Sequence, residues 1–179
     1  MAVLQTARLT LSPCSPGDRH DFMALEQDAE VMRFLNGGRA VDHERGEVDP
    51  TFMMPRGTED HLWTARRVVD GDFVGWFCLW PETTEMGELG YRLRREVWGQ
   101  GFASEGAAAL VDWGFAHSGY EKIFASTMTV NMPSRRVLEK IGMKFSHTIH
   151  PDWPRPFAGT DEGEVVYEIM RSARSPVAF

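Results

Sequence analysis

Between Gly87 and Phe115 the hydrophobic pattern changes period. Leu89, Tyr91 and Leu93 alternate with Glu88, Gly90, Arg92 and Arg94, the two-residue repeat of a strand with one buried face. Past Trp98-Gly99-Gln100-Gly101-Phe102, the residues Ala103, Ala107, Leu110, Val111 and Phe115 recur at helical spacing. The stretch therefore predicts a strand, a short glycine-bearing turn and a long helix.

The same pattern orders the rest of the chain. Thr6 to Ser12 alternates as a first strand, ended by Pro13, Pro16 and Gly17. Asp18 is placed to cap a helix running to about Leu35, with Phe22, Leu25, Ala29, Met32 and Phe34 on its apolar side and Asn36-Gly37-Gly38 as its stop. Arg39 to Asp60, broken by Pro50, Pro55 and Gly57, has room for one short helix around His43 to Val48, and loops of this length tend to be functional covers. His61 to Val69 and Phe73 to Trp80 are β-rich runs joined by Asp70-Gly71-Asp72, a hairpin signal because the turn needs positive φ. Pro81 to Met86 turns the chain into the strand of the central stretch, giving an antiparallel meander. Ser118-Gly119-Tyr120 closes the long helix, and Lys122 to Val130 is again β-rich, so strand, helix and strand form a parallel crossover. Asn131 caps a second helix, Met132 to Ile141, with Pro133 in its first turn and Gly142 at its end. Its Val137, Leu138 and Ile141 should face the core while Arg135, Arg136, Glu139 and Lys140 face water. Met143 to Ile149 is a strand, Pro151 to Gly163 a loop rich in proline and aromatics, Val165 to Met170 a last strand, and the tail from Arg171 is expected to fray. The fold class is α+β: a mixed, mostly antiparallel sheet with a central parallel crossover, flanked by helices, in a single domain over residues 1–179.

Composition narrows the function. The net charge of −7 argues against a nucleic-acid binder with a broad basic face, although it leaves room for a local cationic pocket. No segment approaches the roughly 20 apolar residues a membrane span needs, and Met1 to Leu11 lacks a basic start and an apolar signal core, so a cytoplasmic protein is expected. Two cysteines, Cys14 and Cys78, make neither a disulfide scaffold nor a zinc site. The histidines (His20, His43, His61, His117, His147 and His150) form no spaced ligand pair and fit the surface best, so no metal is expected.

The glycine turn carries the first chemical signal. Glycines between a strand end and a helix start let backbone N–H groups converge where the helix terminus is partly positive, which suits a phosphate; a tight structural turn fits the same spacing. Gly99-x-Gly101-x-x-Ser104 falls one residue short of a dinucleotide fingerprint, and no Gly-Lys-Ser/Thr follows to make a P-loop.

The block Asn131-Met132-Pro133-Ser134-Arg135-Arg136-Val137-Leu138-Glu139-Lys140-Ile141-Gly142-Met143 adds the second signal. With Ala7-Arg8-Leu9-Thr10-Leu11, the hairpin, Gly87 to Leu93 and Trp98 to Glu105, it resembles the GCN5-related N-acetyltransferase (GNAT) superfamily, and within it the RimJ/RimL-like branch. The resemblance implies a sheet splayed at a cofactor cleft and acetyl-CoA as co-substrate, its pyrophosphate held by backbone N–H groups of about Gln100 to Glu105, through Trp98, Gly99, Gln100, Gly101, Phe102, Ala103 and Ser104. Gly101 and Ala103 match the last fixed positions of the family's phosphate loop, whereas Trp98 replaces its polar first residue. Leu89, Gly90 and Tyr91 would flank the pantetheine arm, and an N–H near Leu89 or Gly90 would polarise the thioester carbonyl. Glu88 matches an acidic position suited to a general base. Many members carry a tyrosine seven residues after the asparagine as the acid for the leaving thiolate; here that position is Leu138, and Ser134 stands where RimL-like members place a serine. Asn131 would bond the cofactor arm. A solvated edge carboxylate at Glu88, a first-turn polar residue at Ser134 and a plain helix cap at Asn131 are the structural alternatives.

The expected activity is transfer of an acetyl group from acetyl-CoA to a primary amine, a protein N-terminus or a small molecule, by direct attack. Glu47, Asp49, Glu59 and Asp60 would suit a cationic acceptor, and Trp153 and Phe157 could cover it. The alternative is a non-catalytic acyl-CoA-binding module, with a nucleotide-binding enzyme disfavoured by strand order. Neither nucleic acid nor membrane is expected as a partner, and the resemblance leaves room for a homodimer.

Overall fold

Short alternating segments pair in near-sequential order into one sheet. In a computed structural model that describes residues 2–41, 57, 59–153 and 155–174, the strands are β1 (Leu4–Gln5), β2 (Leu9–Pro13), β3 (Leu62–Arg67), β4 (Phe73–Pro81), β5 (Met86–Leu93), β6 (Lys122–Met128), β7 (Lys144–Ile149) and β8 (Glu164–Met170). Their order is β1-β2-β3-β4-β5-β6-β8-β7, antiparallel throughout except for β5 against β6. The short helix expected near His43 to Val48, and Glu47 and Asp49, lie outside the described residues.

The first helical segment differs from the expected single helix. It is α1 (Arg19–Gln27) followed by α2 (Ala29–Met32), because Asp28 takes an extended conformation and its carboxylate caps the N–H groups of Glu30 and Val31. An acidic residue that bonds the backbone two residues on competes with continuing the helix. Nor does Asp18 cap α1. It accepts from the Ser15 N–H at 2.9 Å and from Arg66 Nη2 at 2.9 Å, tying the turn before α1 to β3.

Two apolar layers sandwich the sheet. On one face α1 and α2 cover Leu62, Phe73, Trp76 and Cys78 with Phe22, Leu25 and Val31. On the other, α3 (Phe102–His117) and α4 (Met132–Lys140) cover Phe77, Leu79, Leu89, Leu93, Ile123 and Tyr167. Gly106 and Gly114 let α3 lie directly on β4, since a Cβ at either would collide with Phe77 or Leu79. Leu138 and Ile141 are buried under α4 as expected. Glu139 is exposed as expected and Arg135 is half-buried, and both hold the buried Tyr167: its hydroxyl donates to Glu139 Oε1 at 2.8 Å and accepts from Arg135 Nε at 3.2 Å. The tail is likewise pinned as far as Arg174, whose guanidinium bonds Asp112 on α3 at 2.6 Å and the Ile141 carbonyl after α4 at 2.7 Å.

On the α1 face, Arg92 of β5 meets Glu26 of α1 at 3.1 Å, both buried, with the guanidinium 5.0 Å above the Trp76 ring. Burial pushes the Glu26 carboxyl up and the Arg92 guanidinium down, while their mutual attraction opposes both shifts. Glu26→Leu is expected to destabilise the fold by about 3–5 kcal/mol, because Arg92 stays buried without its carboxylate, and Glu26→Leu/Arg92→Met should recover most of that loss. Urea denaturation of both variants tests this; equal losses would remove the ion pair as the link between α1 and β5.

Candidate active site

The single parallel pairing is short. Met86, Gly87 and Glu88 lie opposite Lys122, Ile123 and Phe124, and there it ends. Beyond this point β5 stays on β4 to Leu93 while β6 stays on β8 to Met128, so a wedge opens between them.

The register decides which peptide groups face the wedge. The Leu79 N–H donates to His61 O at 3.0 Å on the β3 side, so Cys78 and Trp80 turn to β5, opposite Gly90 and Glu88. The Arg94 N–H donates to Val74 O at 2.9 Å, which gives the same parity. Even-numbered peptides of β5 therefore face β4, and those of Leu89 and Tyr91 face the wedge. Gly90, expected beside Leu89 as an N–H donor, has its peptide in the β4 ladder. The Leu93 carbonyl, next on the open side, is closed by the Trp98 indole N–H at 2.9 Å. That bond is what the tryptophan supplies in place of a polar side chain.

At the wide end of the wedge sits the glycine turn. Gly99 (φ 73°) and Gly101 (φ 86°) adopt left-handed conformations, and Phe102 starts α3. The Glu105 N–H reaches the Gly101 carbonyl at 3.0 Å; those of Phe102, Ala103 and Ser104 precede any helical acceptor, leaving the donors of a helix start facing outward. Phe102 is buried, whereas Ala103 and Ser104 are half-buried. Gln100 braces the turn by donating from Nε2 to Glu96 O at 2.8 Å.

Arg8 and Glu105 fasten this turn to β2. Glu105 accepts from Thr6 Oγ1 (2.6 Å), the Arg8 N–H (2.8 Å) and Arg8 Nε (2.7 Å), while Arg8 Nη1 donates to Gln100 O at 2.9 Å. The guanidinium stacks 4.3 Å above the Phe102 ring. Burial works to raise the Glu105 pKa, but the bonds from Thr6 and Arg8 outweigh it and hold the carboxylate below its ordinary range. Arg8, Lys140 and Arg174 line a groove of about 440 Å³ against Gly101 and Ser104. Lys140 has no ion pair among the described residues. Sequence reasoning missed all three cations: Arg8 sat in a strand motif, Lys140 on a wet helix face and Arg174 in a tail expected to fray.

At the narrow end, Glu88 points to the α1 face, half-buried, and accepts no hydrogen bond among the described residues. Burial first, then the Glu82 and Glu164 carboxylates, push its pKa up. Burial raises Glu164 as well, partly offset by Ser126. Across the wedge, the Tyr91 hydroxyl lies 2.9 Å from Ser134 Oγ and 3.3 Å from the Ser134 carbonyl. Asn131 caps α4 through the Ser134 N–H at 3.4 Å, and its Nδ2 donates to Thr127 Oγ1 at 3.0 Å. In the 151–163 loop, Trp153 and Phe157 meet edge to face at 5.4 Å, and Phe157 lies against Gly38, linking the loop to the turn that follows α2. His20, His117, His147 and His150 are exposed; His61, expected at the surface, is half-buried, and His43 lies outside the described residues. Among the described residues no three His, Cys, Asp or Glu side chains converge as metal ligands.

A mixed sheet split beside its one parallel pair, with a helix N-terminus at the split, defines an acetyltransferase architecture. Comparison agrees: residues 8–144 match the family model described as an acetyltransferase (GNAT) domain, and the chain belongs to the GNAT acetyltransferase family. It is similar to the FsC-acetyl coenzyme A-N(2)-transacetylase of Aspergillus fumigatus, 34% identical over 178 residues, covering 94% of this chain and 76% of that protein. A GNAT acetyltransferase structure from Bacillus anthracis superposes with TM-score 0.77 at 21% identity, covering 96% of this chain and 99% of the other. A spermidine N-acetyltransferase from Vibrio cholerae, solved with CoA and spermine, gives TM-score 0.73 at 15% identity, with 94% and 98% covered.

Arg8→Met keeps the side chain's stem and removes its donors. Hydrogen exchange at Glu105, whose N–H is bonded to the Gly101 carbonyl, should then quicken several-fold, while stability changes by less than about 1 kcal/mol, because the Arg8 side chain is 47% exposed. Unchanged exchange would show that the turn holds its shape without Arg8.

Proposed function

We propose that this chain is an N-acetyltransferase that moves an acetyl group from acetyl-CoA to a primary amine by direct attack. The observation that carries the reading is the wedge beside Leu89 and Tyr91, closed at its wide end by the Gly99–Ser104 turn. The residues present fit the co-substrate. Unpaired peptide groups along β5 suit the amides of a pantetheine arm, and a helix start with Arg8, Lys140 and Arg174 beside it suits phosphates. The acetyl-coenzyme A in the name of the Aspergillus relative supports the donor, and the amine in that of the Vibrio protein supports the acceptor.

Each residue then has a task. The Leu89 N–H faces the thioester carbonyl and stabilises the charge that grows on its oxygen. Glu88 removes the proton from the attacking amine, directly or through one water. Its raised pKa makes it a stronger base than an ordinary carboxylate, and Glu82 and Glu164 beside it favour an arriving ammonium. Ser134 serves the departing sulfur, and Asn131 fixes the turn that presents it. The spacing of Ser134 from Asn131 favours the RimJ/RimL-like branch, with a peptide N-terminus or a small amine as acceptor and a homodimer as assembly. The free Cys14 and Cys78 thiols suit a reducing, cytoplasmic setting.

Thiol release from acetyl-CoA, measured with a panel of peptides, polyamines and aminoglycosides, should find an acceptor. CoA binding without turnover on any of them would replace this reading with a non-catalytic acyl-CoA-binding module. Glu88→Gln should lower kcat by about 10²-fold or more with little change in CoA affinity; an unchanged rate excludes it as the base.

The pH dependence follows from the neighbours of Glu88. Activity needs the carboxylate, so kcat should rise with pH through the raised Glu88 pKa. Glu164→Gln removes one of the charges that raise it, so the acidic limb of the profile should move to lower pH. A limb that stays in place or moves up would break the link between Glu164 and the base.

A further inference from the structure

The wedge has a phenol where the position that often carries one in this family does not. Ser134, Leu138 and Ile141 share one face of α4 and its end, at helical spacing, and that face turns to the sheet. Leu138 and Ile141 are buried in the core layer, so the same face, one turn earlier, sets Ser134 at the edge of the wedge. From the opposite wall β5 sends Tyr91, whose ring packs 6.0 Å from that of Phe77 and whose hydroxyl meets Ser134 Oγ at 2.9 Å.

We infer that Tyr91 is a positioning residue for the leaving group: it donates to Ser134 Oγ and frees the serine's own proton to bond the sulfur of CoA. The inference rests on the acetyl-CoA reading of the wedge. Three observations carry it. The Tyr91 hydroxyl lies 2.9 Å from Ser134 Oγ and 3.3 Å from the Ser134 carbonyl, and a phenol is a stronger donor than an aliphatic alcohol, so the shorter contact runs from Tyr91 to Ser134. Burial pushes the phenol up to about 12, which keeps it protonated as a donor across the working range. The phenol is also anchored by Phe77 on a strand rather than on a loop, so the contact is preformed.

The step balances without ionising tyrosine. The amine nitrogen forms its bond to the carbonyl carbon, the C–S bond breaks, and its electron pair goes to sulfur. Ser134 donates a hydrogen bond to that sulfur, and Tyr91 holds Ser134. The proton lost by the amine leaves through Glu88 to solvent, and the thiolate takes one from solvent on release.

The test needs no acceptor. Bound CoA thiolate is followed by its ultraviolet absorbance as pH is raised, with CoA affinity measured separately by calorimetry, in wild type, Tyr91→Phe and Ser134→Ala. Wild type should lower the pKa of the bound thiol relative to free CoA. Each variant should raise it back by about one pH unit, the size expected for one hydrogen bond to a charged group. Tyr91→Phe/Ser134→Ala should shift it no further than Ser134→Ala alone, because both act through one bond. A phenol that only packs would leave the thiol pKa of Tyr91→Phe at the wild-type value, overturning the inference while leaving the CoA site intact. Failure of wild type to bind CoA would overturn the CoA reading and this inference together.

Discussion

The parallel contact of Met86–Glu88 with Lys122–Phe124 is the constraint on which the rest depends. It is long enough to hold two half-sheets as one and short enough to leave β5 an open edge beyond Glu88. An open edge within a sheet exposes peptide groups that need partners. Here the protein limits that exposure. Gly90 and Arg92 turn their peptides to β4, and the Trp98 indole closes the Leu93 carbonyl, so the open groups are confined to Leu89 and Tyr91.

What keeps the wedge from closing or spreading is the helical layer above it. α3 packs on β4 through its two glycine contacts, while α4 is bound to β8 through Tyr167. Arg174 joins the two helices by bonding Asp112 and the Ile141 carbonyl together. The wedge width is therefore set by side chains distant from the chemistry, and Arg8 with Glu105 sets the shape of its wide end in the same way. Charge is arranged along it too. In a chain of net charge −7, Arg8, Lys140 and Arg174 gather at the wide end, where Glu105 and Asp112 offset two of them, while the narrow end holds the carboxylates of Glu82, Glu88 and Glu164.

Much of this was legible in the chain because local rules agreed. Alternation gave the strands, Asp70-Gly71-Asp72 the hairpin, and Asn131 with Pro133 and Gly142 the bounds of α4. One misreading is local and the others come from long-range partners. Asp28 breaks the first helix by capping inward, a choice that apolar spacing at Ala29 and Met32 masks. Asp18 is drawn off its cap position by Arg66, 48 residues away. The bonds of Arg135 and the exposed Glu139 to Tyr167 were hidden because that hydroxyl lies on a strand that comes later. Of the candidate site, Glu88, Ser134 and the glycine turn carry motifs with local spacing, which a sequence displays directly. Arg8, Lys140 and Arg174 were not, since they reach one groove from three distant segments.

The peptide parity of β5 shows how little separates a structural strand from a catalytic one. Side chains and peptides both alternate along it, but on different axes: side chains divide between the α1 and α3 faces, peptides between β4 and the wedge. Leu89 can thus bury its side chain in the core while its N–H faces the wedge, and Tyr91 can pack on Phe77 while its hydroxyl crosses to α4. Glu88, one residue earlier, has the opposite assignment, with its peptide in the ladder and its carboxylate free on the α1 face. A slip of one residue between β4 and β5 would exchange these roles, burying the carboxylate under α3 and removing the Leu89 N–H from the wedge. Register, set by the Pro81 to Met86 turn and by Gly90 opposite Cys78, is therefore as much a part of the active site as any side chain in it.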